Sequence, residues 1–458
     1  MIFCFLLVAL IYYIHVNAKY LKWLHYSFIL FYQSKLIYYV LVTVAKNITS
    51  ICIDLIYTKT WLSKCLKNLI LLIDALGYCS INAQNTPNLF NFFQEGFFRP
   101  VKTLLGYSNA IIPSIFSGKY PSQHNIWGLY KKSSPSSSTS PFKISRLFPS
   151  SICDRNLLLR YAINTIIYND CKRRGLLPNY FMPANIPIKI LKYFDISMKK
   201  HIIEPGSMDG TLTLFDLMRQ NNIRFEYVGY PWNKGNEQIF TSVKNHIHNH
   251  SSSVVIAYID EIDHDEHKYG VHSDNFIKQL RLFDELCASF LRKIIDTEKN
   301  NLAITIFSDH GMRDVDGFIN LKEVIDSTDL EVEKDYLLFL DSTIARFWAL
   351  NENAYQYLTE VLSDIKGGHL LSKEETIKYK INFKSNIYGD LQYLADAGKL
   401  ILPNFYTIRG GAVKAMHGWD PDDKTQDSFI FTNRRLQNEE IEDVTKIFYI
   451  LQENLKVE

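Results

Sequence analysis

Acid and histidine side chains recur in this chain just past apolar runs. Asp74 closes the run Asn68–Ile73, Asp309-His310-Gly311 follows Ile304–Ser308, and Asp260-Glu261-Ile262-Asp263 follows Val254–Tyr258. In open α/β sheets, ligands bind beyond the carboxyl ends of the strands. Distant segments would therefore bring carboxylates and imidazoles to one edge. Asp263 and His267 are four apart, so one helical turn or a tight loop aims both at one ion. Asp309 and His310 are adjacent and would face opposite sides of a strand. Both therefore belong to the loop beyond it, where Gly311 frees the backbone. Oxygen and imidazole donors without thiolate suit zinc or manganese.

Taken singly, each of these signals has a plainer explanation. An acid after a strand is commonly a helix cap, a DxxxH spacing is commonly solvated surface, and SDHG is commonly a turn. The dense stretch His246, His248 and His250 reads as a solvated helix end or loop, because neither an acid nor a strand terminus accompanies it. His264 and His272 flank the DxxxH pair as bystanders.

The elements that must position these groups alternate. Asn68–Asp74 reads as a buried parallel strand, a continuous apolar run ending on an acid. A helix over Leu89–Glu95 is closed by Gly96, a strand spans Phe98–Leu104, and a helix follows over Ala110–Phe116. Past Gly206, a helix over Leu212–Asn221 precedes strands at Phe225–Tyr230 and Ser253–Asp260. A long amphipathic helix over Phe276–Ile295 then leads to a strand at Leu302–Phe307. Strands alternating with helices imply a parallel α/β sheet. Residues 132–141 are rich in Ser and Pro and mark a surface loop or the entry to an insertion at about 131–205. A mixed stretch at about 320–400 reads as a second insertion.

The chain has 458 residues, 47% hydrophobic and 21% charged, enough for one large core or two domains. A net charge of +2 is not the basic signature of a nucleic-acid binder, and no nucleic acid is expected as a partner. The seven cysteines are odd in number and form no CxxC, which suggests neither a disulfide framework nor a zinc ribbon. Residues 1–67 form an apolar N-terminal extension. Within it, Ile2–Ile14 is short for a membrane span and resembles the apolar part of a signal peptide without its basic start. Residues 1–45 are thus a candidate signal or membrane-associated segment, the alternative being apolar helices packed on the core. Sequons occur at Asn47-Ile48-Thr49 and Asn249-His250-Ser251.

The segments LLIDALG, GYSNAIIPSIFSGKYPSQHNIWG, IDEIDHDEHKYG, FSDHGM and AMHGWDP stand in the order found in the alkaline phosphatase superfamily. Over roughly residues 68–130 and 206–432 the chain resembles its type I phosphodiesterase/nucleotide pyrophosphatase branch. The resemblance implies an alkaline-phosphatase-like three-layer α/β sandwich with a mostly parallel central sheet and inserted cap segments, occupying residues 68–458. It implies two divalent metal ions, zinc by preference. Asp74, Asp309 and His310 match the ligands of one ion, and Asp263, His267 and His417 those of the other. The nucleophile of that branch lies ten residues before the Gly of TG-x-YP. Here that motif reads Ser117-Gly118-Lys119-Tyr120-Pro121 and points to Ser108, which would share the first ion. The branch usually carries Thr there.

The implied activity is hydrolysis of phosphate esters, foremost diesters, through a phosphoseryl intermediate. A serine hydroxyl needs such help, because it is a poor nucleophile at neutral pH and a dication favours its alkoxide. Asn109 either contacts a phosphate oxygen or simply starts a helix. One departure bears on the substrate: nucleotide-cleaving members carry an Asn where this chain has Leu129. The sulfatase signature is absent around Ser108. Two other readings of the same residues are a phospho-group transferase acting on a lipid or glycan, and a metal-binding pseudoenzyme. Specificity is expected in the two insertions, with Tyr107, Trp127 and Trp232 either lining the pocket or packed in the core.

Overall fold

The computed structural model describes residues 67–133, 140–176, 186–232, 235–248, 253–298, 301–406, 412–436 and 440–457. The stretch 1–45, Cys4, Cys52, Cys65, His250 and both sequons lie outside the described residues.

The strands that matter here are β1 (Lys67–Ile73), β2 (Phe97–Val101), β3 (Phe225–Gly229), β4 (Val254–Ile259), β5 (Leu302–Phe307), β6 (Tyr336–Leu340), β7 (Ile344–Ala349), β8 (Gly368–Leu370), β9 (Leu391–Ala395) and β10 (Ser428–Thr432). The helices are α1 (Pro87–Phe93), α2 (Ser108–Ser117), α3 (Leu214–Gln220), α4 (Asn236–His248), α5 (Glu261–Tyr269), α6 (Asp274–Glu298) and α7 (Lys446–Leu455). Six strands form the central sheet in the order β2-β10-β5-β1-β4-β3. β1 pairs in parallel with β4 and β5, and β3 in parallel with β4. β10 alone runs antiparallel, to both β2 and β5.

The apolar runs suit such a sheet because both faces are covered. Leu69, Leu71 and Ile73 of β1 pack with Phe283, Cys287 and Leu291 of α6 on one face. Ile70 and Leu72 pack with Ile111 and Ile115 of α2 and with Leu451 of α7 on the other. Alternate residues of one strand thus feed two helical layers, giving the expected three-layer sandwich. Pro100 is tolerated in β2 because β2 is an edge strand. Among the described residues no helix is long and apolar enough to cross a membrane.

The stretch 320–400, mixed by sequence, contains a second, antiparallel sheet in the order β6-β7-β9-β8. Its apolar face shares one core with the earlier insertion: Phe142 and Phe194 lie with Phe339, Trp348 and Tyr393. A buried Arg346 interrupts the apolar run of β7. Its Nε donates to Asp341 (2.8 Å) and its Nη1 to the Tyr130 carbonyl (2.7 Å), a pairing no local pattern reveals.

Candidate active site

The carboxyl ends of the parallel strands converge as the sequence implied. Register sets Ile73 beside Ile259 and Leu72 beside Phe307, so Asp74, Asp260 and the Ser308–Asp309 turn leave the sheet at one level. Tight packing follows at the loops. A Cβ on Gly311 would lie 2.5 Å from the Thr425 carbonyl and 3.0 Å from Gly77 Cα. Two glycines therefore let the loops after β1 and β5 touch.

Ser108 opens α2, directly after Gly106 (φ +140°) and the extended Tyr107. Its Oγ lies 2.9 Å from His310 Nε2. His310 Nδ1 donates to the Gly311 carbonyl (3.0 Å), which leaves Nε2 as the acceptor. That Nε2 also stands 3.3 Å from Asp309 Oδ2 and 3.5 Å from Asp74 Oδ1. Asp309 Oδ1 accepts from the N–H groups of Ala75 (3.3 Å) and His310 (3.1 Å), fixing the carboxylate. Asp74 Oδ2 accepts from the Tyr258 hydroxyl.

A second set adjoins the first. Asp263 and His267 sit one turn apart on α5, with His267 Nε2 3.3 Å from Asp263 Oδ1. His267 Nδ1 donates to the Ala415 carbonyl (2.8 Å), which turns its Nε2 toward Asp263. The His417 ring stacks on His310 at 3.6 Å between centroids, with 11° between planes. Two donor groups result, Asp74–Asp309–His310 and Asp263–His310–His417, each with ligand atoms within 4.8 Å of one another. His310 belongs to both groups.

Asp74 Oδ1, Asp263 Oδ1, Asp309 Oδ2 and His417 Nδ1 are buried without a hydrogen-bond partner. Orphaned polar atoms of this kind are costly, and two of them, Asp74 Oδ1 and Asp309 Oδ2, face the same His310 Nε2. Burial, with the charges of Asp309 and Asp263, holds Asp74 well above the usual carboxylate range. Burial also raises Asp263, but His267, His417 and His310 outweigh it and hold that carboxyl low. Burial lowers His267, yet Asp263 outweighs it and leaves the imidazole above its ordinary value. Burial and the neighbouring His310 push His417 well below its ordinary value. The oxygen-and-nitrogen donor set and the orphaned atoms fit divalent cations.

Several supporting groups were not legible in the sequence. The Tyr107 hydroxyl is 2.8 Å from Thr343 Oγ1 and accepts from the Thr343 N–H. Thr343 Oγ1 bonds the Gly418 carbonyl (2.8 Å). The second sheet thus ties the Ser108 loop to the His417 loop. Gln426 Oε1 accepts from the N–H groups of Gly418 and Trp419. Only Tyr258, at the end of a recognisable strand, left a local trace. Trp127 is core, its Nε1 donating to the Leu105 carbonyl (2.7 Å), and Trp232 is 56% exposed. Tyr107, Asn109 and His264 line the cavity beside the site, whereas His246 and His248 end α4 away from it. His272 pairs with Asp314 (2.7 Å).

A mostly parallel α/β sandwich with this site at its strand ends defines the alkaline phosphatase superfamily of metal-dependent phosphoric ester hydrolases. The chain belongs to the type I phosphodiesterase / nucleotide pyrophosphatase family, whose sequence profile matches residues 68–428. Its fold is similar to human ectonucleotide pyrophosphatase / phosphodiesterase 5. The TM-score is 0.61 and the identity 13%, over 86% of this chain and 95% of that one. The murine protein, solved as an inactive variant in complex with AMP, gives a TM-score of 0.61 at 14% identity with the same coverage. No curated protein sequence matches the chain.

Proposed function

We propose that the chain hydrolyses phosphodiesters at two divalent cations, zinc by preference, with Ser108 as the nucleophile. Asp74, Asp309, His310 and Ser108 would hold one ion, and Asp263, His267 and His417 the other. When bound, the cations supply positive charge that favours the serine alkoxide and neutralises the phosphate oxygens. Ser108 Oγ loses its proton and forms a bond to phosphorus as the P–O ester bond breaks. The departing alcohol oxygen takes up a proton. Water then attacks phosphorus, the Oγ–P bond breaks, and Ser108 regains its proton. The backbone N–H groups of Ser108 and Asn109 open a ten-residue helix without intrahelical partners and suit a phosphate oxygen.

The observation that carries this reading is that two unpartnered buried carboxylate oxygens, Asp74 Oδ1 and Asp309 Oδ2, face the same His310 Nε2 that Ser108 Oγ approaches. The same reading takes residues 1–67 as an extension and 68–458 as the catalytic domain. It takes the insertions at about 131–205 and 320–400 as the cap. AMP bound to the murine neighbour makes a nucleotide ester the reference substrate for this chain, against which Leu129 argues.

Purified protein should hold close to two transition ions per chain, and chelation should abolish cleavage of bis-nitrophenyl phosphate. Cleavage of mono-nitrophenyl phosphate should be much slower. Ser108→Ala should lose turnover while keeping its metal. Full activity of a metal-free protein would refute the mechanism.

A further inference from the structure

The helix Leu157–Arg173 of the first insertion is apolar on two sides. Asn156 starts it, its side chain accepting from the N–H groups of Leu158 (3.0 Å) and Leu159 (3.2 Å). Ile163, Ile167 and Cys171 recur at helical spacing and enter the core that holds Phe142 and Phe194. On a helix packed this way the outward side is ordinarily polar. Here Leu158 is 81% exposed and Tyr161 75%, and Leu159, Ile166 and Tyr168 are exposed with them. The short helices Pro141–Leu147 and Ser150–Cys153 pack against it and expose Leu147 and Ile152. Apolar side chains scattered singly over a surface need no explanation, but a set on adjoining elements marks an interaction site.

The same segment is set apart by charge. Residues 140–176 hold seven Lys or Arg against two Asp, an excess of five positive charges in a chain whose net charge is +2. Both acids are already engaged. Asp154 pairs with Arg160 (3.0 Å), and Asp170 with Arg173 (2.8 Å) and Arg174 (3.0 Å). Arg146, Arg155 and Lys172 are exposed and form no ion pair among the described residues.

Exposed leucine, tyrosine and cationic side chains on one short helix suit the boundary between lipid headgroups and acyl chains. Leucines enter the apolar phase, tyrosines sit at headgroup level, and long basic side chains reach lipid phosphates. At 17 residues, about 26 Å, the helix is too short to span a bilayer and would lie along it. Side chains as exposed as Leu158 and Tyr161 project from the surface. A projecting ridge enters a fluid acyl phase without a matching shape, whereas a protein partner would have to supply a fitted pocket. We infer that this face docks the protein on an anionic lipid surface, with the helix Leu157–Arg173 lying flat in the headgroup layer.

The test uses the full chain and vesicles of phosphatidylcholine with and without phosphatidylserine. Hydrogen exchange over residues 157–173 should slow on the anionic vesicles and change little on the neutral ones. The paired substitution Leu158→Ser and Tyr161→Ser should raise the lipid concentration giving half of that effect at least about tenfold, the loss expected when a Leu-sized side chain is withheld from the apolar phase. Arg155→Gln with Lys172→Gln should raise it on the order of tenfold on the anionic vesicles. All four residues are exposed, so the urea midpoints of both variants should match that of the wild type. Unchanged exchange at 157–173 on anionic vesicles overturns the proposal, even where the chain binds them through residues 1–45. Exchange there that slows with protein concentration in the absence of lipid also overturns it, and assigns the face to a second copy of this chain.

Discussion

Replacing Tyr258 by Phe removes one hydroxyl from the candidate metal site and little else. The ring packs edge-on against Tyr230 at 5.7 Å, a contact that Phe preserves. The lost group donates to Asp74 Oδ2, while Asp74 Oδ1 has no hydrogen-bond partner and is left for a cation. A hydrogen bond to a charged group is worth roughly 1.5–3 kcal/mol, and removing an outer partner of a metal ligand typically costs about 10–100-fold in affinity. The direction follows from the charge. The tyrosine hydroxyl lowers the Asp74 pKa against burial and the neighbouring Asp309 and Asp263 charges. Without it Asp74 holds its proton to higher pH, and a cation must displace that proton. The loss of affinity should therefore grow as pH falls. Competition against a chromogenic zinc chelator at two pH values measures this directly. Wild-type affinity in Tyr258→Phe at both would refute Asp74 as a metal ligand.

Gly311→Ala should destabilise the fold by about 1–3 kcal/mol. The new Cβ would press on the Thr425 carbonyl and on Gly77, and a lower urea midpoint checks it. Glu266→Gln should stabilise the metal-free protein, more at pH 7 than at pH 4.5. Glu266 is 1% exposed with both carboxylate oxygens unpartnered, and burial, with the charges of Asp263 and Asp314, raises its pKa well above the ordinary value. The folded state then keeps a proton that the unfolded state loses above about pH 4.3. Wild-type stability must fall as pH rises through the window between those two values. Urea midpoints of both proteins at both pH values test this, and equal gains would contradict it.

What the sequence made legible were features with short-range signatures. The run before Asp74 is apolar because both faces of β1 are covered, so the strand, its burial and the acid at its end read together. The DxxxH pair was legible because a helix turn sets its geometry. What stayed hidden depends on contacts between distant segments. The stacking of His417 on His310 places one imidazole between two donor groups, and no spacing rule foretells it. Thr343 gives no local sign of its role, because its partners are a tyrosine hydroxyl before α2 and a carbonyl in the last motif. The second sheet was obscured by Arg346, whose charge is satisfied only in the folded core.

The central claim is that Ser108 carries the phosphoryl group. Turnover of a diester by the zinc-loaded chain, quenched in acid and digested, allows the phosphorylated peptide to be found by mass spectrometry. The account predicts one phosphate on the Ser108 peptide, absent from Ser108→Ala protein. Undiminished turnover by Ser108→Ala, or phosphate on another residue, would contradict it.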